Sequence, residues 1–212
     1  MAVPSPEILL GRSEIAAVVE RLGAEISADH PEGVVLVGVL KGALIFLADL
    51  ARAVSVPVMI DFLAISRYAP DSGRVRILAD LDTDVAGRDV VIVEDMVDTG
   101  LTLAYLAKHV QRRGPGRVEV CTLVDRPVRR IVPVSPRYVG LAIPDQFVLG
   151  YGLHHADLYR NVPFLVRADP QVVAARPDAY VGALYGAREA DAPPDLGSDR
   201  GSDRGSAPTG RW

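Results

Sequence analysis

At 212 residues, 49% of them apolar, with a mean hydropathy of +0.20, the chain suits one globular domain with an appended element. A formal net charge of −4 argues against nucleic-acid binding by bulk electrostatics. The single cysteine, Cys121, excludes an internal disulfide framework and fits a reducing cytoplasm.

Met1–Pro6 carries no basic stretch followed by an apolar core, so no signal peptide is expected. Ser13 is the predicted N-cap of a first helix, with Glu14 in its first turn. Ile15, Val18, Val19, Leu22 and Ile26 form its apolar stripe, and it ends before Pro31. Val34–Leu40 reads as a buried strand, Lys41-Gly42 as a turn, and Leu44, Leu47, Ala48 and Ala51 mark a second helix. Taken together, Val34–Leu50 is the nearest approach to a membrane span. Lys41 near its centre costs about 2.5–3.5 kcal/mol of insertion free energy, so no membrane partner is expected. Val58–Ile65 is a further strand. Ser66–Arg74 then breaks all periodicity with Pro, Asp, Ser and Gly, and reads either as a mobile lid or as a simple hairpin connection to a partner strand over Val75–Leu78.

The most informative stretch is VVIVEDMVDTGLT, Val90–Thr102. A short apolar run leads into Glu94-Asp95, then Asp98, then Thr99-Gly100-Leu101-Thr102, where Leu103, Leu106, Ala107 and Val110 fall at helical spacing. This is strand, loop, helix, and in an open α/β sheet ligands bind beyond the carboxyl ends of the strands. Backbone N–H groups and hydroxyls at a helix N-terminus favour a phosphate, and Gly100 allows close approach of the backbone. Glu94 and Asp95 repel an anion and suit ribose hydroxyls or a hard divalent cation. The competing reading is an ordinary acidic loop on a solvated face. Gly114-Pro115-Gly116 ends the helix, Val118–Val124 forms a strand holding Cys121 as a small buried hydrophobe, and Tyr138–Ile143 and Phe147–Leu149 are short strand candidates. From Ala187 to Trp212 the Gly, Ser, Asp, Arg, Ala and Pro content predicts disorder, leaving residues 1–186 as the folded domain.

VVIVEDMVDTGLT resembles the phosphoribosyl-diphosphate binding motif of type I phosphoribosyltransferases, in the form typical of the hypoxanthine-guanine branch. Four further segments extend the resemblance over roughly Ser5 to Pro170. VGVLKGALIFLADLAR resembles the diphosphate loop, where the resemblance implies a cis peptide at Leu40-Lys41 followed by Gly42. Ser66-Arg67-Tyr68 is similar to the start of the catalytic lid, with Arg67 departing from the usual serine. IPDQFVLGYGL resembles the purine-pocket strand, which would make Phe147 the stacking ring and Val148 the residue whose backbone meets the base edge. Arg160 matches a diphosphate-contacting arginine.

Arg126 stands where the family commonly has a lysine that donates to the purine's exocyclic oxygen, and arginine is not interchangeable with an ammonium. Arg130 matches an arginine on the diphosphate side. His154 stands in place of an aspartate that helps hold a second magnesium, with Asp157 as the nearest substitute. The resemblance implies an α/β fold, with a mainly parallel twisted sheet flanked by helices and a small hood built from about 1–12 and 138–175. It implies Mg2+ held at Glu94 and Asp95 as cofactor, 5-phosphoribosyl 1-diphosphate and a purine base as substrates, and a homodimer or homotetramer. It further implies Asp98 as general base for N7, Thr99, Gly100, Leu101 and Thr102 on the 5-phosphate, and Glu94 and Asp95 on the ribose. Two other readings remain: a paralogue acting on xanthine or another purine-like base, and a nucleotide-sensing RNA-binding regulator, which the net charge disfavours. A haloacid-type phosphatase is excluded because neither Asp95 nor Asp98 sits in a DxD arrangement after the strand.

Overall fold

The computed structural model describes residues 5–66 and 76–190, without the side chains of 187–190. Arg67, Tyr68 and Val75 lie outside these residues, as does the expected tail from 191 onward. The elements, in chain order, are β1 (Glu7–Leu10), α1 (Arg12–Asp29), β2 (Val34–Leu40), α2 (Leu44–Ala53), β3 (Val58–Ile65), β4 (Ile77–Ala79), β5 (Asp89–Val97), α3 (Leu101–Gln111), β6 (Arg117–Asp125), β7 (Tyr138–Ala142), β8 (Phe147–Leu149), β9 (Leu165–Ala168), α4 (Pro170–Ala175) and α5 (Val181–Ala190).

A six-stranded sheet runs β4-β3-β2-β5-β6-β7, parallel throughout except for the β3–β4 edge pair. Its central strands are apolar on both faces because helices cover both. In β2, Val34 and Leu36 join the layer against α1 and α2, while Val35, Val37 and Val39 point to the layer against α3. The two-residue alternation of a strand thus persists inside a run that is hydrophobic at every position. Cys121 is fully buried on the α1 and α2 side, and burial pushes its thiol up out of the reactive range.

A second, three-stranded antiparallel sheet, β1-β9-β8, joins the two ends of the chain. With α4 and α5 it encloses its own core of Tyr159, Val162, Phe164, Val166, Val173, Tyr180 and Leu184. This is the hood, with two corrections to its expected limits. Tyr138–Ala142 is not part of it, because β7 pairs in parallel with β6 and finishes the main sheet. Residues beyond 175 are part of it, because Tyr180 and Leu184 are needed to close the core; α5 itself spans Val181–Ala190 and includes the start of the segment expected to be disordered. A third correction concerns α1, whose N-cap is Gly11 rather than Ser13. Glycine has no side chain to cap with, and Glu14 compensates by accepting the Gly11 N–H at 2.7 Å.

Candidate active site

The carboxyl ends of β2 and β5 open into one cavity of about 1370 Å³. One wall is the β2–α2 turn, Leu40, Lys41 and Gly42, whose Leu40-Lys41 peptide is cis as the resemblance implied. The floor is the β5–α3 loop, with Glu94, Asp95 and Asp98 followed by Thr99, Gly100, Leu101 and Thr102. Ser66 stands just past the end of β3 and His154, Asp157 and Arg160 at the hood side. Ser66 also answers the lid-or-hairpin alternative at its stem. Its N–H donates to the Arg76 carbonyl at 2.8 Å and its hydroxyl accepts the Arg76 N–H at 3.1 Å, so β3 and β4 pair as an antiparallel hairpin up to the cavity edge, and the residues between them lie outside those described.

Gly100 is the N-cap of α3 at φ 81°, a left-handed conformation that few side chains tolerate. The first helical bond, from Ala104 N–H to Gly100 O, leaves the N–H groups of the first turn directed out of the helix toward the cavity. Leu101 N–H lies 3.4 Å from the Thr99 hydroxyl, a weak local cap. The arrangement suits an anion, with dipole and donors acting together.

Asp95 lies against the opposite wall, and this contact requires glycine. A Cβ on Gly42 would stand 1.8 Å from Asp95 Oδ2, and a Cβ on Gly152 would stand 2.2 Å from the Gly42 carbonyl oxygen. Two glycine-bearing loops and a carboxylate therefore share one van der Waals layer. Burial, with Asp95 as a like charge beside it, pushes the Glu94 carboxyl well above the usual range. Asp95 is also raised by burial, with the Met96 N–H and the Arg160 charge pulling it partly back. Among the described residues no group of three or more His, Cys, Asp or Glu could hold a metal ion. The buried Glu94 and half-buried Asp95, two adjacent carboxylates, nonetheless fit Mg2+, which takes one or two carboxylates and completes its shell from water and substrate phosphates.

The hood side is built from unusual backbone. All four non-glycine residues with positive φ among the described residues, Tyr151, Ala156, Asp157 and Tyr159, fall within nine positions. Arg160 closes this loop by donating to the Gly152 carbonyl at 2.8 Å and to Asp157 Oδ1 at 3.3 Å. The Arg160 hydrogen bond, with His154 and Lys41 nearby, holds the Asp157 carboxyl below its ordinary value. His154 Nδ1 accepts the Asp157 N–H at 3.1 Å, so that nitrogen is already engaged.

Four of the expected contact residues, Arg126, Arg130, Phe147 and Val148, are not part of the cavity wall. Arg130 donates to the Asp98 carbonyl at 2.6 Å and pairs with Asp125, bracing the loop from behind. Val148 is buried in the core, with only its backbone at the strand edge. Phe147 meets His155 edge-on at 6.0 Å between ring centroids. Arg126 forks onto Asp98, Nε to Oδ1 at 3.2 Å and Nη2 to Oδ2 at 2.9 Å, and donates from Nη1 to the Gln146 carbonyl at 2.6 Å. Sequence reasoning missed Arg129, His155, Tyr151 and Asp145. Arg129 and His155 stand beside the chosen Arg130 and His154 in visible Arg-Arg and His-His pairs, the latter set aside as loop histidines because neighbours chelate a metal poorly, and Tyr151 lies between the two glycines of GYGL; nothing in the sequence marks Asp145.

Residues 7–156 match the phosphoribosyl transferase domain family. The chain is 44% identical over 175 residues to the hypoxanthine-guanine phosphoribosyltransferase of Mycobacterium avium, covering 78% of this chain and 86% of that protein. It is 41% identical over 170 residues to the enzyme of the same name from Bacillus subtilis, covering 78% and 94%. A crystal structure of a Bacillus anthracis hypoxanthine-guanine phosphoribosyltransferase, with HEPES in its active site, superposes with a TM-score of 0.75 at 38% identity, covering 78% of this chain and all of that one.

Proposed function

The chain belongs to the phosphoribosyl transferase family, and from that premise we propose that it is a purine phosphoribosyltransferase of the hypoxanthine-guanine type. It transfers the 5-phosphoribosyl group from 5-phosphoribosyl 1-diphosphate to hypoxanthine or guanine, giving IMP or GMP and diphosphate in purine salvage. The observation that carries this reading is the order of chemistry along one cavity. Lys41-Gly42 faces Glu94-Asp95, and Asp98 lies between these carboxylates and the Thr99–Thr102 helix start. Those groups suit diphosphate, ribose hydroxyls, a base proton and a terminal phosphate respectively.

In this mechanism the bond from a purine ring nitrogen to C1 of the ribose forms as the C1–O bond breaks, and the bonding pair leaves with the diphosphate. Asp98 receives the N7 proton of the base. Lys41 and Arg160 supply positive charge beside the departing group, and the backbone amides and hydroxyls of Thr99–Thr102 hold the 5-phosphate so that the ring cannot drift. Glu94 and Asp95 accept from the ribose hydroxyls and would hold Mg2+, which when bound supplies neutralising charge to the diphosphate. The lid, with Ser66 at its stem and Arg67 and Tyr68 beyond it, excludes water from the cationic sugar. Phe147 stacks on the base, Val148 offers its backbone to the base edge, and Arg130 sets the position of Asp98 through its carbonyl. His154 and Asp157 serve the diphosphate end rather than a second metal. The engaged Nδ1 of His154 and the Arg160 partnership of Asp157 support this assignment.

Assembly into a homodimer or homotetramer is part of the proposal, supported by Met59 and Ile60 on β3 and Leu78 on β4, which are 40%, 48% and 68% exposed. No helix among the described residues is long and apolar enough to cross a membrane, and a cytoplasmic location is proposed. The test is product formation with hypoxanthine, guanine, xanthine and adenine separately, with Asp98→Asn alongside. Turnover of a 6-oxopurine that falls by about 10²–10⁴-fold in the variant is the expected result. Undiminished turnover by Asp98→Asn would remove Asp98 from its role.

A further inference from the structure

Tyr151 carries a side chain where the backbone favours glycine. Its φ is 45°, and its neighbours Gly150 and Gly152 stand at 96° and 100°. The residue is 5% exposed, and its ring lies in the core layer that holds Phe46, Leu47 and Leu50 of α2. From there its hydroxyl donates to Asp49 Oδ2, on the same helix. Burial, and then the carboxylate it meets, push the phenol up, so it stays a donor at any working pH. A residue in a left-handed conformation needs surroundings that over-determine it, and this buried, charge-assisted bond is one of them.

The bond joins two walls of the main cavity from behind. Asp49 belongs to α2, which follows directly from the Lys41-Gly42 turn. Tyr151 belongs to the hood loop, which its own bonds lace together: Tyr151 N–H to the Val162 carbonyl at 2.7 Å, Gly152 N–H to the Arg160 carbonyl at 2.9 Å, and Arg160 Nη1 to the Gly152 carbonyl at 2.8 Å. In front of it the walls touch, since a Cβ on Gly152 would stand 2.2 Å from the Gly42 carbonyl oxygen. A packing contact resists approach and a hydrogen bond resists separation, so the pair of contacts sets one spacing. We propose that Tyr151 is a positioning residue for the leaving diphosphate: through Asp49 it fixes the gap between the Lys41-Gly42 turn and Arg160. The inference rests on the proposed function, which puts diphosphate in that gap. Tyr151 itself stays outside the wall of the main cavity and lines a second one, of about 450 Å³, with Asp49 and Arg52.

Tyr151→Phe deletes one oxygen and keeps the ring. Asp49 retains Arg52 as a partner beside the second cavity, so the variant leaves no buried charge unpaired. Walls that hold their spacing about one time in ten weaken apparent affinity about tenfold. Calorimetric titration with inorganic diphosphate and Mg2+ should therefore show a Kd raised about tenfold, and the KM for 5-phosphoribosyl 1-diphosphate should rise in step. The KM for hypoxanthine should stay within about twofold, because the base lies at the other end of the cavity. Asp49→Ala should repeat these shifts, and Asp49→Asn, which keeps an acceptor oxygen, should recover most of the affinity. The double variant Tyr151→Phe with Asp49→Ala should be no worse than either single one, since the two residues act as one unit. Equal rises in both KM values, a lower Tm with unchanged diphosphate affinity, or additive losses in the double variant overturn the inference. If the unaltered enzyme binds diphosphate and turns over no 6-oxopurine, the proposed function fails, and the diphosphate titration still decides the role of Tyr151.

Discussion

Gly42→Ala adds a single methyl group at the most crowded point of the site. Its carbon would stand 1.8 Å from Asp95 Oδ2 and 2.4 Å from Asp95 Cγ, where an ordinary contact is above 3.4 Å. Relief needs about 1.5 Å of movement, either by Asp95 or by the turn. Asp95 is tethered by the Met96 N–H to its Oδ1 at 2.8 Å, and the turn is backed by Gly152 against the Gly42 carbonyl. Neither side yields freely. Overpacking of this kind costs about 1–3 kcal/mol, and for a domain of this size each kcal/mol lowers Tm by about 2–4 °C. The effect on catalysis should be larger than the effect on stability, because a displacement near 1 Å can cost roughly 10²-fold. Thermal unfolding and steady-state kinetics on one preparation separate the two. The expected result is a Tm lower by about 2–12 °C, with kcat/KM for 5-phosphoribosyl 1-diphosphate down about 10²-fold. A variant with unaltered KM for that substrate would refute the packing argument, since the loop must then have room that the contacts deny it.

Glu94→Gln should separate stability from function. Burial raises the Glu94 carboxyl above its unfolded value, so the folded ligand-free protein holds a proton more tightly than the unfolded chain. Its stability therefore falls as pH rises above the ordinary carboxylate range, and the amide removes that dependence. The variant should be more heat-stable than the parent at pH 8, with the gap closing toward pH 5, while its affinity for 5-phosphoribosyl 1-diphosphate drops; parallel Tm curves across that range would contradict the assignment. Phe147→Ala removes the ring that meets His155 and that we assign to stacking. Aromatic stacking on a base is worth about 1–3 kcal/mol, so the KM for the base should rise roughly 10–100-fold with the diphosphate substrate unaffected, and a change confined to Tm would reassign Phe147 to the core.

Much of the site could be read from the sequence because it is local. Glu94, Asp95, Asp98 and Thr99–Thr102 belong to one strand–loop–helix unit, and the alternation of hydrophobic, acidic and hydroxyl-bearing residues is written in nine consecutive positions. The same holds for the covered parallel strands, where Val34–Leu40 and Val90–Val93 are apolar at every position because both faces are roofed. The end of α1 before Pro31 and the burial of Cys121 followed from local chemistry as well.

What required the tertiary structure is whatever depends on contacts between distant segments. Asp95 meets Gly42 across 53 positions, and Arg126 reaches Asp98 across 28, so no window of sequence contains either pair. Tyr138–Ala142 has the composition of any short strand, and only its parallel pairing with β6 places it in the main sheet rather than the hood. The left-handed backbone from Tyr151 to Tyr159 is imposed by its surroundings, through Tyr151 OH on Asp49, Arg160 on Gly152 and Tyr159 OH on the Pro177 carbonyl. Propensity acts within a few residues, whereas charge pairing and steric exclusion act through space. The β5–α3 loop is therefore specified by its own sequence, and the partners that hold its carboxylates are specified by the fold.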